Sequence, residues 1–137
     1  MKTTLIKVTA ILIAFTASFS SCDNNCGCKK TENLPQEKIC DVQNPLKDLP
    51  WLKKYINDVI KNGEFGAAIY LCSYKDGKGF LFYQPCPRCV TGPSYMLTNC
   101  QGDTLCTTIG NNYQYCKEEF DLDFDNKTLI CEIECRH

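Results

Sequence analysis

Leu52, Tyr55, Ile56, Val59 and Ile60 recur at spacings of three and four, while Lys53, Lys54, Asn57, Asp58 and Lys61 fill the positions between them. That spacing gathers the apolar set on one face of a helix and the polar set on the other. Pro50 suits the first turn, where a missing N–H costs nothing. Asp48 or Leu49 then falls near the N-cap, with the Asp48 carboxylate at the positive end of the helix dipole. Asn62-Gly63 stops the helix, because Gly accepts the left-handed conformation there. Burying five such side chains is worth about 10 kcal/mol gross, at about 1.5–3 each. One helix cannot cover its own stripe, so the strands that follow must do so. The polar face is mixed in charge, which favours core packing over a membrane surface.

After this helix the pattern shortens. Apolar runs at 67–74 and 80–83 flank Lys75-Asp-Gly-Lys-Gly79, a hairpin signal. Residues 84–93 contain three prolines and exclude a central strand. Residues 94–99 and 104–109 read as strands joined by Gln101-Gly-Asp103, and Gly110-Asn-Asn112 breaks the chain again. Phe120, Leu122 and Phe124 alternate with Asp121, Asp123 and Asp125, predicting a strand that turns at 125–127 into another at 128–133. One helix followed by grouped strands predicts an α+β fold, the helix packed on a small, mostly antiparallel sheet.

The N-terminus is an address. Lys2 and Lys7 precede an apolar run at 8–19, too short to span a bilayer, in the manner of a signal peptide. The run ends Ser18-Phe-Ser-Ser-Cys22, which resembles the lipobox of bacterial lipoproteins. By that resemblance residues 1–21 are a signal peptide, and Cys22 carries lipid that anchors the chain to a membrane of the cell envelope, on its periplasmic or surface face. Plain secretion, with Cys22 free to pair, is the other reading. Residues 23–43 are polar and aperiodic and read as a flexible tether; Cys26-Gly27-Cys28 within it staples the tether to the domain or forms a thiol or metal site. A single domain then occupies 44–137.

A second resemblance lies at the helix entry. Asn44-Pro-Leu-x-Asp-Leu-Pro-Trp-Leu-Lys53, a Tyr-rich strand and a Cys/Gly-rich second half are similar to a group of small uncharacterised lipoproteins of Gram-negative bacteria. The similarity covers roughly residues 44–131. It implies lipoprotein status and one small domain, and it supplies no catalytic residues.

Charge and cysteines narrow the classes. The 15 basic side chains less Lys2 and Lys7 leave 13 against 16 acidic ones, a net charge near −3 for residues 22–137. No basic patch supports nucleic-acid binding. Export makes disulfides the expected state of the 12 cysteines. With Cys22 lipidated the remainder is odd, which leaves one thiol free or bound between molecules.

Four sites follow from residue type and spacing. Cys86-Pro-Arg-Cys89 resembles the dithiol of thiol–disulfide oxidoreductases, with Cys86 attacking and Cys89 resolving, but Gly92-Pro93 spoils the helix those enzymes place behind it. A disulfide loop is the stronger reading. Cys86, Cys89, Cys100 and Cys106 offer four sulfurs to zinc, without the tight second pair of a zinc ribbon. Asp121, Asp123, Asp125 and Glu132 have the spacing of a calcium loop, but apolar Leu122 and Phe124 fit a hairpin with an acidic face better. Finally, some of Tyr70, Tyr74, Phe80, Phe82, Tyr83, Tyr95, Tyr113 and Tyr115 must be core, and tyrosines on the other sheet face form a recognition surface. The single His is terminal His137, so no Ser–His–Asp or Cys–His site can be assembled. The combined expectation is a lipid-anchored binding module without cofactor or catalytic set. It would meet the membrane through Cys22 and a protein or glycan partner through its tyrosines. An exported oxidoreductase using Cys86 and Cys89 is the alternative, and a calcium-stabilised binding module a further one.

Overall fold

Among the described residues six strands form one fully antiparallel sheet, in which the strands, numbered along the chain, lie in the order first, sixth, second, third, fourth, fifth. They are β1 (Asn25–Lys30), β2 (Ala67–Tyr74), β3 (Gly77–Gln84), β4 (Ser94–Thr98), β5 (Thr104–Ile109) and β6 (Thr128–Arg136). Among the described residues three helices accompany them: α1 (Pro45–Asp48), α2 (Pro50–Asn62) and α3 (Gln114–Phe120). The structure is a computed structural model, and it describes residues 25–30, 34, 36–62, 65–75, 77–110 and 114–136. The signal segment, Cys22 and Tyr113 lie outside the described residues.

The fold class is α+β, as the pattern predicts. α2 begins at Pro50, its first-turn carbonyl bond running from Lys53 N–H to Leu49 at 3.1 Å. Asp48 plays a different part from the one expected: it belongs to α1, and its carboxylate accepts the Asn44 N–H at 2.9 Å. Leu52, Ile56 and Val59 of α2 are buried, with Tyr55 and Ile60 packed at the margin. They cover one sheet face, where Ile69, Phe80, Phe82 and Ile133 complete the larger core. Alternation along β3 sends Leu81 and Tyr83 to the other face. There Leu81, Leu97 and Cys106 pack against Cys116 of α3 and Leu122.

Two elements depart from the pattern. Residues 120–124 are not a strand: Phe120 ends α3, and Asp121 adopts φ 48, reversing the chain. Phe120, Leu122 and Phe124 still point to the second core, so the alternation marks burial and not extension. Part of the tether also belongs to the sheet. β1 pairs with β6 along its whole length, and Cys28 is bonded to Cys131, which makes the stapling reading correct for Cys28. Ile39, further along the tether, is fully buried.

The turn after Ile39 ties the tether to the far side of the sheet. Ile39 and Val42 exchange backbone hydrogen bonds of 3.0 and 3.1 Å around Cys40 and Asp41, both at positive φ. Such a turn is costly for residues other than glycine. Cys40 is bonded to Cys100 across 60 residues. Trp51 donates its indole N–H to the Cys100 carbonyl at 3.0 Å and lies flat enough on Gly102 that an added Cβ would sit 2.7 Å from its ring.

Candidate functional site

The loop joining β3 to β4, residues 85–93, carries no core and is fixed at several points. Cys86 and Cys89 are bonded to each other. The Cys89 N–H donates to the Cys86 carbonyl at 3.1 Å, and the Gly92 N–H to the Cys89 carbonyl at 3.2 Å. Pro85, Pro87 and Pro93 restrict the backbone further. The loop is moored to the end of β5 by the Gly110 N–H, which donates to the Pro93 carbonyl at 2.7 Å. Gly110 has φ 69, and a Cβ there would meet the Thr91 carbonyl oxygen at 2.5 Å, so glycine is required on both counts. At the tip of this rigid loop Val90 is fully exposed.

A cleft opens on each side of the loop. One, of about 410 Å³, is bounded by Phe65, Tyr83, Pro85, Cys86 and Pro87. The other, of about 470 Å³, lies between Asn62 and Phe65 at the end of α2, Cys86 and Cys89 of the loop, and Ile109 of β5. Tyr83 connects the first cleft to a hollow of about 150 Å³ on the sheet face opposite α2, where Tyr70, Tyr95, Phe124 and Lys127 meet over Leu81. Tyr83 and Tyr95 face each other across β3 and β4 with ring centroids 5.2 Å apart. Lys127 holds its ammonium 5.4 Å from the Tyr70 ring and 5.9 Å from that of Phe124. Burial, then the Glu132 charge, then Tyr83, push the Tyr70 hydroxyl above its ordinary pKa, so it is a neutral donor at physiological pH.

The aromatic set thus divides as strand alternation requires. Phe80 and Phe82 are core, edge-on to Trp51 at 5.4 and 6.3 Å. Tyr70, Tyr83 and Tyr95 gather on the other face, and Tyr115 is exposed on α3. The clefts themselves, and the parts of Phe65, Phe124 and Lys127, carry no sequence signal beyond an aromatic or basic residue near a turn.

The metal candidates do not converge. Cys100 is bonded to Cys40, Cys106 to Cys116 and Cys86 to Cys89, so the four sulfurs considered for zinc lie in three separate bridges. Asp123 is spent on its own turn. One of its oxygens accepts the Asp125 and Asn126 N–H groups at 3.0 and 3.1 Å, and the Asn126 amide foremost holds the carboxyl below the usual range. Glu132 stands on β6, opposite Lys29 and Ala68, while Asp121 closes α3. Among the described residues no group of three His, Cys, Asp or Glu side chains comes together.

Cys72 is the free cysteine among the described residues, and Cys135 is bonded. Cys72 is buried on β2, and burial pushes its thiol up to about 12. A thiol held neutral in this way is inert. Alkylation of the native, unreduced protein at pH 8 is therefore expected to leave Cys72 unmodified, and unfolding without reduction to expose it, as read by peptide mass. Both folded and unfolded chains keep the proton below the ordinary value of 9.0. Between there and about 12 the unfolded chain releases it first, so stability falls by about 1.4 kcal/mol per pH unit.

No protein family, curated protein or solved structure matches this chain. Four described disulfides on a small sheet define a disulfide-rich α+β domain of extracytoplasmic type. Among the described residues no helix is long and apolar enough to cross a membrane.

Proposed function

We propose that this chain is a lipid-anchored binding module of the bacterial cell envelope, which recognises an uncharged, apolar-faced protein or glycan ligand through residues 85–93 and the clefts beside them. One observation carries the reading. Among the described residues lining the two larger clefts there is no Asp, Glu, His, Lys or Arg, while rings, prolines and neutral amides abound. Such walls suit stacking and shape recognition. The shortest disulfide encloses only Cys86 to Cys89 and constrains the unfolded chain least, so its effect is to stiffen the loop that displays Val90.

Cysteine parity supports the anchor. Eight cysteines form the four described bridges, Cys135 is bonded and Cys72 is free. Cys22 and Cys26 remain, and the backbone register sets Cys26 opposite Cys135. That register leaves Cys22 for lipid, in agreement with the lipobox resemblance. Exchange of Cys22 for serine is expected to release the chain from the membrane fraction; retention there would contradict the anchor.

A photo-crosslinking residue placed at Val90 tests the recognition surface in living cells, with Lys53 on the polar face of α2 as the reference. Adducts, read as intact-mass shifts on protein and glycan alike, are expected from position 90 and not from 53. Equal or absent adducts would overturn the assignment. A second reading, thiol–disulfide exchange, draws on the exposure of the Cys86 sulfur wall to both clefts.

A further inference from the structure

The sheet face opposite α2 carries polar groups that the loop and its two clefts do not use. Glu132, Ala68, Tyr83 and Tyr95 stand opposite one another in succession across β6, β2, β3 and β4. Residues paired in this way share a face. Tyr70, two positions from Ala68 along β2, lies on that face too. Tyr95 meets Phe124 edge-on with ring centroids 6.1 Å apart. These rings bound the hollow of about 150 Å³ over Leu81, and an apolar cavity of that size admits one six-membered ring.

Two charged groups stand at its margin. Lys127 donates to the Phe124 carbonyl at 2.8 Å while its ammonium lies against the Tyr70 and Phe124 rings. An ammonium has three protons to give, so the carbonyl fixes it in place without exhausting it. Glu132 is exposed, and its charge acts on the Tyr70 hydroxyl. The hollow therefore joins aromatic walls to a fixed donor on one side and a carboxylate acceptor on the other.

We propose that this hollow is a sugar subsite: it takes one neutral pyranose ring of a glycan, set against the Tyr83 and Tyr95 rings, with its hydroxyls meeting Lys127, the Tyr70 hydroxyl and Glu132. A pyranose joins an apolar C–H face to a rim of hydroxyls that both donate and accept, which matches rings bordered by a donor and an acceptor. The balance of one positive and one negative charge selects a neutral sugar over an acidic one. A peptide is matched less well. Its main chain needs backbone partners, and those of β2, β3 and β4 are engaged with one another in the sheet. The subsite rests on the binding-module reading and narrows its ligand from protein or glycan to glycan. Tyr83 joins the hollow to the first cleft, so one chain of sugars can occupy both.

The test is retention of the full chain, extracted in a detergent without a sugar headgroup, on immobilised neutral oligosaccharides of glucose, galactose, mannose and N-acetylglucosamine. Alginate, an acidic glycan, and denatured serum albumin share the same surface. At least one neutral oligosaccharide is expected to retain the chain, and alginate and albumin are expected not to. Lys127→Met and Glu132→Gln are each expected to weaken retention about tenfold, since each removes a charged partner of a hydroxyl. Both side chains are exposed, so folding is expected to be kept. Lys53→Glu on α2 is expected to change nothing. Absence of retention on every neutral sugar, retention indifferent to Lys127 and Glu132, or retention on alginate or albumin that Lys127→Met abolishes would overturn the subsite. Adducts at Val90 without sugar retention would overturn it and leave the binding module standing. Sugar retention lost in Lys127→Met without such adducts would uphold it and overturn the loop as the recognition surface.

Discussion

Replacing Cys40 and Cys100 together by serine is expected to lower folding stability by about 4 kcal/mol, from the loop-closure entropy restored to the unfolded chain. The bridge spans 60 residues and fastens the turn in which Cys40 and Asp41 both hold positive φ. That conformation is costly at Cys40, whereas an Asp such as Asp41 tolerates it better. The same bridge positions the Cys100 carbonyl for the Trp51 indole, so its loss also loosens α2. Replacing Cys86 and Cys89 by serine is expected to cost only about 1.6 kcal/mol by the same reasoning. Urea midpoints of the two double variants, at matched slopes, check the ranking. Equal losses would mean that the Cys86–Cys89 loop is part of the structural core and not an appendage kept for recognition.

Phe82→Ala is expected to be about as damaging, with a loss of about 3–5 kcal/mol. Phe82 is fully buried, with its ring 4.3 Å from that of Tyr55 and edge-on to Trp51, so truncation opens a cavity between β3 and α2. The next residue behaves differently. Tyr83 points to the opposite face and borders both a cleft and the tyrosine hollow. Tyr83→Ala is expected to cost about 1 kcal/mol, while abolishing adducts from a crosslinking residue at Val90. Thermal and urea unfolding of the two variants, side by side with crosslinking, separates a residue that holds the fold from one that meets a ligand. Comparable destabilisation by both would place Tyr83 in the core.

The fold was legible where pattern and burial coincide. α2 follows from its stripe, and β5 occupies the residues its turn signals delimit. β1 was hidden because an edge strand in a polar segment has little but cysteines to mark a buried side. α3 is seven residues long, and only Cys116 and Phe120, four apart, mark its inner face, which is too little for a period to emerge. Its neighbour misled for a related reason: Phe120, Leu122 and Phe124 alternate because each is drawn into the second core, through a helix end and a reversal at Asp121. Of the site, the loop residues and the tyrosine face could be named in advance, since prolines, a close cysteine pair and strand alternation are local signals. The clefts could not, because they arise where the end of α2, the end of β5 and the loop meet, and no local pattern encodes that meeting.

Whether residues 85–93 serve recognition or thiol exchange is tested most directly by a redox titration of the full chain, with alkylated thiols counted by peptide mass. The Cys86–Cys89 bridge sits in a loop and not at a helix N-terminus, so no helix dipole favours a Cys86 thiolate. It is therefore expected to stay closed to below about −300 mV, as structural bridges do. Selective opening of that pair between about −270 and −120 mV would contradict the binding reading and make Cys86 and Cys89 a working dithiol.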